Sequence, residues 1–401
     1  MKLQYSQNHT EFYKVDENNV FNHLSKMDIG NYSISYFTLP TMFDKREEIE
    51  QIVQGDTSLV RISQNFRDFE EYRETISNMY GELYEDRYGT ILGEYYDVLN
   101  DTLLANYTEG YGPRSVDVML PAFLAAYSGR TPQKNKLNGF NTMPLPNWRV
   151  TYNGLSKLPV IRDVFSNFNI SHSYNSTLSI NNYRNNLEYD NLYYNNDILL
   201  ANDNAIVDYL TAQEAIRLAE NPSIDTLTGN FVAYHQIPQV MVSEQLAPLI
   251  GIDIALKNGV SAKFDYKKSR MLSMSFQDFQ MSEQYSDEFT IGAGYALEGL
   301  KLPTFIKIKG KPVELENQLS FNFDLSLRDT ETLNYRLDED IIQATAGMRT
   351  LRIAPTIDYV ISNSLRISLF YERTRTVPRL SNAFPTTQSK GGVRVSFMLG
   401  Q

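Results

Sequence analysis

From residue 318 to residue 328 polar and apolar side chains alternate without a break. Leu319, Phe321, Phe323, Leu325 and Leu327 are set against Gln318, Ser320, Asn322, Asp324, Ser326 and Arg328. A period of two places neighbours on opposite faces of an extended chain, so such a segment can be dry on one side and wet on the other only as a β-strand. The split recurs in 250–257, where Ile250, Ile252, Ile254 and Leu256 face away from Gly251, Asp253, Ala255 and Lys257. It recurs in 260–267, with Val260, Ala262, Phe264 and Tyr266 against Ser261, Lys263, Asp265 and Lys267, and again in 365–372 and 393–399. Around 164–180 it persists well beyond the five or six residues of an ordinary soluble strand. The pattern predicts an all-β chain, with strands near 29–38, 147–153, 163–183, 231–243, 249–257, 260–268, 270–280, 288–298, 301–309, 316–329, 331–338, 345–361, 364–374 and 391–400.

Residues 39–146 have a different texture and mix helical periodicity with loops. Asp44 to Val53, closed by Gly55, reads as a short helix. Phe66, Phe69, Tyr72, Arg73, Ile76 and Tyr80 sit at helical spacing, as do Val118, Met119, Ala122, Phe123, Ala126 and Tyr127 ahead of Gly129. Pro121 inside the second run implies a kink or a helix that begins there. The expected division is therefore 1–38 as strand, 39–146 as a helical and loop insertion, and 147–401 as strands to the C-terminus.

Alternation of this kind suits a soluble sandwich, whose apolar face is its core, or a membrane β-barrel, whose apolar face meets lipid. Transmembrane helices are excluded, since mean hydropathy is −0.38 and no run of about 18 apolar residues occurs. A barrel escapes that test, because only alternate residues need be apolar. Aromatics make up 12% of the chain, with 27 Tyr against a single Trp, a balance suited to interfacial girdles. The polar face carries Asp253, Lys263, Asp265, Asp324, Arg328, Asp358, Arg366 and Arg394, as a water-filled lumen would. These points favour a piece of a large antiparallel transmembrane barrel.

The remaining composition narrows the functions. Cysteine is absent, so disulfides and thiolate metal sites are impossible. Net charge is −11 and no basic run suggests nucleic acid. The opening MKLQYSQNHTEF has no apolar core of a secretory signal, which an outer-membrane protein requires, so the natural N-terminus is expected further upstream. The last strand, Gly391 to Gln401, alternates like a barrel-insertion signal, although it ends on Leu399 and Gly-Gln rather than an aromatic. Counting strand directions back from a periplasmic C-terminus puts 39–146, 184–230 and 375–390 at the cell surface and the 361–364 turn in the periplasm.

Reactive constellations are few. His9, His23, His172 and His235 are scattered without ligand spacing, so no metal or other cofactor is expected. Ser171 and Ser173 flank His172, but no G-x-S-x-G elbow accompanies them, and His172 falls on the apolar parity of its strand. No carboxylate pair stands out as acid and base. Lys267-Lys268-Ser269-Arg270 reads as a solvated, charged turn, and the Tyr111–Gly129 segment as a packed helix of a surface cap. The chain is not expected to be an enzyme.

Several stretches taken together resemble the SprA/Sov family of type IX secretion translocons, in its C-terminal part. They are Tyr111-Gly112-Pro113, then Leu120 to Gly129 with Pro121, Phe123 and Tyr127, then Pro146-Asn147-Trp148-Arg149-Val150-Thr151-Tyr152. Ser171-His172-Ser173-Tyr174, Glu244, Pro248-Leu249-Ile250-Gly251, Lys267 to Arg270 and Gly292-Ala293-Gly294-Tyr295 follow in order. Leu246-Ala247 stands where a Phe is expected before the Pro-Leu-Ile-Gly run. The resemblance implies a much longer parent in the outer membrane of Bacteroidota, with a barrel of about 36 strands. It implies a passive conduit for folded cargo proteins, tied to gliding motility. The implied partners are the remaining N-terminal part of the same barrel, a PorV-type shuttle barrel, a periplasmic plug protein, secreted cargo and outer-membrane lipid. A self-contained porin or surface adhesin, and a secreted β-rich binding module, remain open alternatives on the residues alone.

Overall fold

In a computed structural model of the chain, the described residues are all but 16–20, 54–55, 90, 135–136, 138, 141, 187–223, 299–306, 309–310, 313–317, 340, 363–364, 380–382 and 398–401. The fold is mostly antiparallel β. Its strands are β1 (Leu3–Val15), β2 (Phe21–Ser35), β3 (Arg46–Val53), β4 (Asp56–Ser63), β5 (Glu94–Asp97), β6 (Thr102–Thr108), β7 (Trp148–Tyr152), β8 (Phe165–Asn185) and β9 (His235–Gln236). They continue as β10 (Gln239–Leu256), β11 (Val260–Ser275), β12 (Gln280–Glu298), β13 (Lys307–Ile308), β14 (Lys311–Pro312), β15 (Gln318–Arg336), β16 (Ile341–Ser362), β17 (Leu365–Pro378) and β18 (Thr386–Phe397). The two long helices are α1 (Gln64–Tyr88) and α2 (Val116–Ser128).

One sheet of 12 strands runs in the order β1-β2-β8-β10-β11-β12-β15-β16-β17-β18, with β7 and β9 added beside β8. Every pairing is antiparallel, and β1 and β18 form its two edges among the described residues. At about 3.3 Å per residue the 22 residues of β16 reach about 70 Å, more than twice the hydrocarbon thickness of a bilayer.

Register makes the sheet two-faced. β11 pairs with β12 and β12 with β15 without a shift, so parity holds over their full length. One face carries Leu319, Phe321, Phe323, Leu325 and Leu327 of β15 beside Leu297, Tyr295, Ala293, Ile291 and Phe289 of β12. Tyr359, Ile357, Pro355, Ile353 and Leu351 of β16 continue it on the other side. The opposite face carries Ser320, Asn322, Asp324 and Ser326, with Ala296, Gly294, Gly292 and Thr290 beside them. In β10 a bulge between Leu246 and Ile250 adds two residues relative to β11, an even number, so the apolar parity passes through it unchanged.

The helical insertion leaves the sheet in the middle of a strand position. β2 pairs with the upper half of β8, Ser35 opposite Thr177, and β7 pairs with the lower half, Trp148 opposite Tyr174. Residues 36–147 are therefore spliced into one interrupted strand and lie against the apolar face. α1 starts at Ser63, whose hydroxyl accepts from Phe66 N at 3.1 Å, and ends at Gly89 with φ 70°. α2 is buried on all sides from Val118 to Ser128 and stops at Gly129, φ 67°, where a side chain would be strained. Phe66, Phe69, Ile76, Met119, Phe123 and Tyr127 form one core with Ile34, Leu178, Ile180, Val240, Val242, Leu272, Met274, Met281, Leu333 and Tyr335 of the sheet.

Several expectations are corrected. Arg46–Val53 is a strand paired with β4, not part of a helix. Its Glu and Arg residues favour helix locally, but pairing with the β-branched 56–63 segment overrides propensity. The strands expected at 260–268 and 270–280 are one, β11, so Lys267-Lys268-Ser269-Arg270 lies mid-strand and is no turn. Likewise 316–329 and 331–338 belong to the single strand β15, and the 239–243 part of 231–243 joins 249–256 in β10, while 231–238 hold an isolated bridge at Phe231 and the short β9. Of 301–309, the described part is a two-residue ladder, Lys307–Ile308 against Lys311–Pro312, apart from the large sheet; the rest lies outside the described residues. Pro121 sits inside α2, not at its start.

Candidate functional site

The polar face and the apolar face each supply part of the site. All eight charged residues assigned above to the polar face share one face of the sheet, Asp358 lying opposite Ser320 and Ser368. Asp253 is opposite Lys263 and Asp265 opposite Gly251 across β10 and β11, and Lys263 Nζ bridges to Asp265 at 3.1 Å. Asp324 is opposite Gly292, Arg328 opposite Glu288, Arg366 opposite Ser396 and Arg394 opposite Ser368. Gly292 and Gly294 leave an open hollow of about 390 Å³ beside Asp253, Lys263 and Asp324. The charges are mixed and the groups between them small, so this wall stays hydrated and offers no apolar foothold.

The apolar face divides into three zones along the strands. Its upper zone is sealed by the insertion: Leu272 and Met274 are 0% exposed. Its lower zone is bare: Phe289, Ile291, Phe323 and Val393 are 40%, 46%, 42% and 65% exposed. On β12 and β15 that bare zone covers residues 289–297 and 319–327, about the span a tilted membrane strand needs. Between the zones runs a polar belt on the same face, comprising Lys268, Asp287, Asp329, Arg349 and Arg379. Trp148 packs tilted against Tyr174 at 4.7 Å, and Tyr266 stacks on Phe289 at 4.3 Å near the same level.

Just above the belt, two buried carboxylates fasten the insertion to the sheet. The Arg270 guanidinium, wholly buried in β11, donates to Glu244 of β10 at 2.8 Å and to Thr41 O at 2.8 Å, and also donates to Thr38 O. Tyr174 OH donates to the other Glu244 oxygen at 2.8 Å. Glu283 of β12 is equally buried and accepts from the hydroxyls of Tyr127, Tyr285 and Tyr335, and from Ser63 at 3.4 Å. Burial, with Glu283 close by, pushes the Tyr127, Tyr285 and Tyr335 phenols far above their ordinary range, so they remain donors. Arg46 stacks 3.4 Å over the Tyr285 ring and pairs with Glu331. A charge network of this kind inside an apolar interface fixes one docking position.

The residues singled out as a family signature fall mostly on this junction. Tyr127 reaches Glu283, and Glu244 holds Arg270. Tyr111 stacks on Tyr80 at 4.8 Å, Gly112 N donates to Asn230 at 2.8 Å, and Pro113 follows ahead of α2. Pro121 and Phe123 are core residues of α2, which Gly129 ends. Asn147 and Trp148 close the interrupted strand, Pro248 lies in the β10 bulge, and Gly251 lies opposite Asp265 on the polar face. Arg149 and Tyr152 are exposed on β7 and take no part in the buried network.

His172 Nδ1 contacts Leu249 O at 2.7 Å on the apolar face, while strand alternation turns Ser171 and Ser173 the other way. Among the described residues no three acidic or histidine side chains gather as a metal site, and no helix is long and apolar enough to cross a membrane. Glu283, Tyr285 and Tyr335 are not visible as site residues in the sequence, where Arg270 reads as part of a solvated turn. The signal for Arg270 and Glu283 is a parity break, a charged residue where the strand is otherwise apolar; Tyr285 and Tyr335 carry no such signal. No protein-family model and no curated protein matches the chain.

Proposed function

We propose that the chain is part of the wall of an outer-membrane β-barrel that conducts folded proteins, of the kind found in type IX secretion translocons of the SprA/Sov type. The observation that carries this reading is the division of the sheet. A bare apolar band about nine residues tall backs onto a face made of small polar groups and paired charges. In water, an exposed band that wide would drive association; in lipid it is the stable arrangement. The polar face then lines the lumen, where mixed charges and glycines let a folded cargo pass without adhering. Ten long strands already lie side by side in one sheet, and a barrel built from them and more would be wide, because diameter grows with strand number. The choice of this family rests on the motif resemblance, with its expected shuttle-barrel, plug and cargo partners.

Single cysteines at Asp324 and Ser326 should react with a membrane-impermeant thiol reagent in the assembled protein, while cysteines at Phe323 and Leu325 should not. Equal labelling of the two pairs would remove the basis of the reading. To separate conduit from ordinary porin, cargo trapped by a folded C-terminal fusion should cross-link to the Asp324 position.

A further inference from the structure

We infer that the apolar face carries a binding site for phosphorylated lipid headgroups, formed by Arg349, Arg373, Arg375 and Arg379 at the upper edge of the bare band. The inference rests on the membrane reading above and adds to it a lipid class.

The register places these groups together. Arg375 is opposite Leu351, Arg373 opposite Ile353 and Arg349 opposite Val377, which puts all of them on the apolar face. Arg379 follows directly after β17 and donates to Asp329 through Nε at 2.9 Å. Below Arg373 on the same face come Tyr371 and Leu369, 45% and 49% exposed. Arg373 therefore stands one residue pair, about 7 Å, above the exposed aromatic, where hydrocarbon gives way to headgroups. Asp329 and Glu331 are the acidic side chains within ion-pair distance of this patch, and Glu331 also serves Arg46. Arg373 and Arg375 are exposed and make no ion pair or hydrogen bond among the described residues, and the facing residues of β18, Ser389 and Thr387, are uncharged.

The chain as a whole is acidic, with a net charge of −11, so a surplus of guanidinium groups on its one apolar face is a local exception. On the polar face Arg352 pairs with Glu372 at 2.7 Å and Lys390 with the same carboxylate at 3.0 Å, while Arg366 and Arg394, without an ion pair among the described residues, stand on the side away from the bare apolar band. Unmatched guanidinium forks beside an apolar band suit an anionic amphiphile, a phosphate on an acylated body, because the fork takes two phosphate oxygens while the chains lie along Leu369 and Tyr371. Above the patch the β3–β4 hairpin overhangs the sheet, and a cleft of about 580 Å³ lined by Arg61, Leu333, Val377 and Pro378, and by Glu48 and Glu331, which pair with Arg61 and Arg46, leaves room for the sugar or glycerol part of a headgroup.

The test uses the full chain in nanodiscs of phosphatidylcholine doped with phosphatidic acid, with retained lipid counted by native mass spectrometry after delipidation. Wild type should retain phosphatidic acid preferentially. Arg373→Gln with Arg375→Gln should weaken that preference about thirtyfold, each arginine at a membrane surface being worth roughly a factor of five. Arg373→Lys with Arg375→Lys should restore most of the charge-dependent part. Arg366→Gln with Arg394→Gln, an equal charge change on the polar face, should leave it unaltered. Unchanged retention in the first pair, equal loss in the polar-face pair, or displacement by equimolar inorganic phosphate would overturn the inference. A chain that enters neutral nanodiscs but shows no phosphatidic acid preference refutes this site alone. One that enters no bilayer refutes the membrane reading and the site together.

Discussion

The side-chain amide of Asn147 fills a missing place in the β ladder opposite Ser176. Ser176 N donates to Asn147 Oδ1 at 3.0 Å, and Asn147 Nδ2 donates back to Ser176 O at 3.3 Å, where Tyr36 N also donates at 3.2 Å. Between Ser35 and Trp148 the strand is interrupted, so without this amide the N–H of buried Ser176 would lose its acceptor, while Ser176 O would keep Tyr36 N. Asn147 offers an acceptor and a donor side by side, as a peptide unit does.

Asn147→Ala should therefore loosen the point at which the insertion leaves the sheet. Removing one side of a buried hydrogen-bonded pair costs about 1–3 kcal/mol. Trp148 is the single tryptophan of the chain and is the next residue, so its emission reports the site directly. The expected result is a lower unfolding midpoint with a red-shifted Trp148 emission. An unshifted spectrum would mean that water or backbone readily takes over the role of the amide.

The Glu244–Arg270 pair predicts non-additivity. Arg270→Met leaves the Glu244 carboxylate buried without its cation, a loss of about 3–5 kcal/mol. Glu244→Met leaves the guanidinium equally stranded, with only Thr38 and Thr41 to receive it. The double variant removes both charges from an interface that is otherwise apolar and should recover a large part of the loss. Limited proteolysis of the 36–147 segment reads this, with both single variants cut faster than the double. Additive damage would show that the two side chains support the interface independently.

Asp329 ties pH to the belt. Burial pushes its carboxyl up, but hydrogen bonds from Arg379 and Arg349 outweigh that and hold it below its usual value of 3.8. A depressed carboxyl contributes stability that is complete above the unfolded value and is lost as pH falls through the folded one. The wild type should therefore lose stability below about pH 4, and Asp329→Asn should be less stable at neutral pH while showing a shallower acid slope. Identical acid slopes for the two would assign the pH dependence to other carboxylates.

Why the sheet was legible and the junction was not follows from what periodicity encodes. Phe323 and Asn322 announce their faces because alternation is local and strict. Strand ends were less visible: Lys267 to Arg270 resembles a turn in composition, yet Lys268 finds Asp287 and Arg270 finds Glu244 on neighbouring strands. Those partners are distant in sequence, so no window on the chain reveals them. The helix expected at 44–53 failed for the same reason, since β4 supplies pairing that Glu47 and Glu48 could not indicate. The position of the insertion on the apolar face was also hidden. Leu272 beneath α2 and Phe264 in the bare zone have the same parity in the same strand, and only the charged positions between them mark the boundary.

That boundary gives the most direct test of which face meets lipid. Phe323 and Asn322 are adjacent in β15, at the middle of the bare band, and differ only in the face they present. Phe323 is flanked by Ala293 and Pro355 on the neighbouring strands, and Asn322 by Gly294 and Thr356. An arginine on a lipid face near the midplane costs about 2–4 kcal/mol, whereas one in a wet lumen costs little. Phe323→Arg should therefore reduce the yield of assembled, heat-modifiable protein sharply, while Asn322→Arg assembles nearly as well as wild type. Leu272→Arg adds a control in the covered zone of the same face. It should also fail, but by opening the packed core, and the failure should be accompanied by rapid cleavage of the 36–147 segment. If Asn322→Arg proves the damaging change and Phe323→Arg is tolerated, the polar face is the buried one and the apolar band is exposed to something other than lipid.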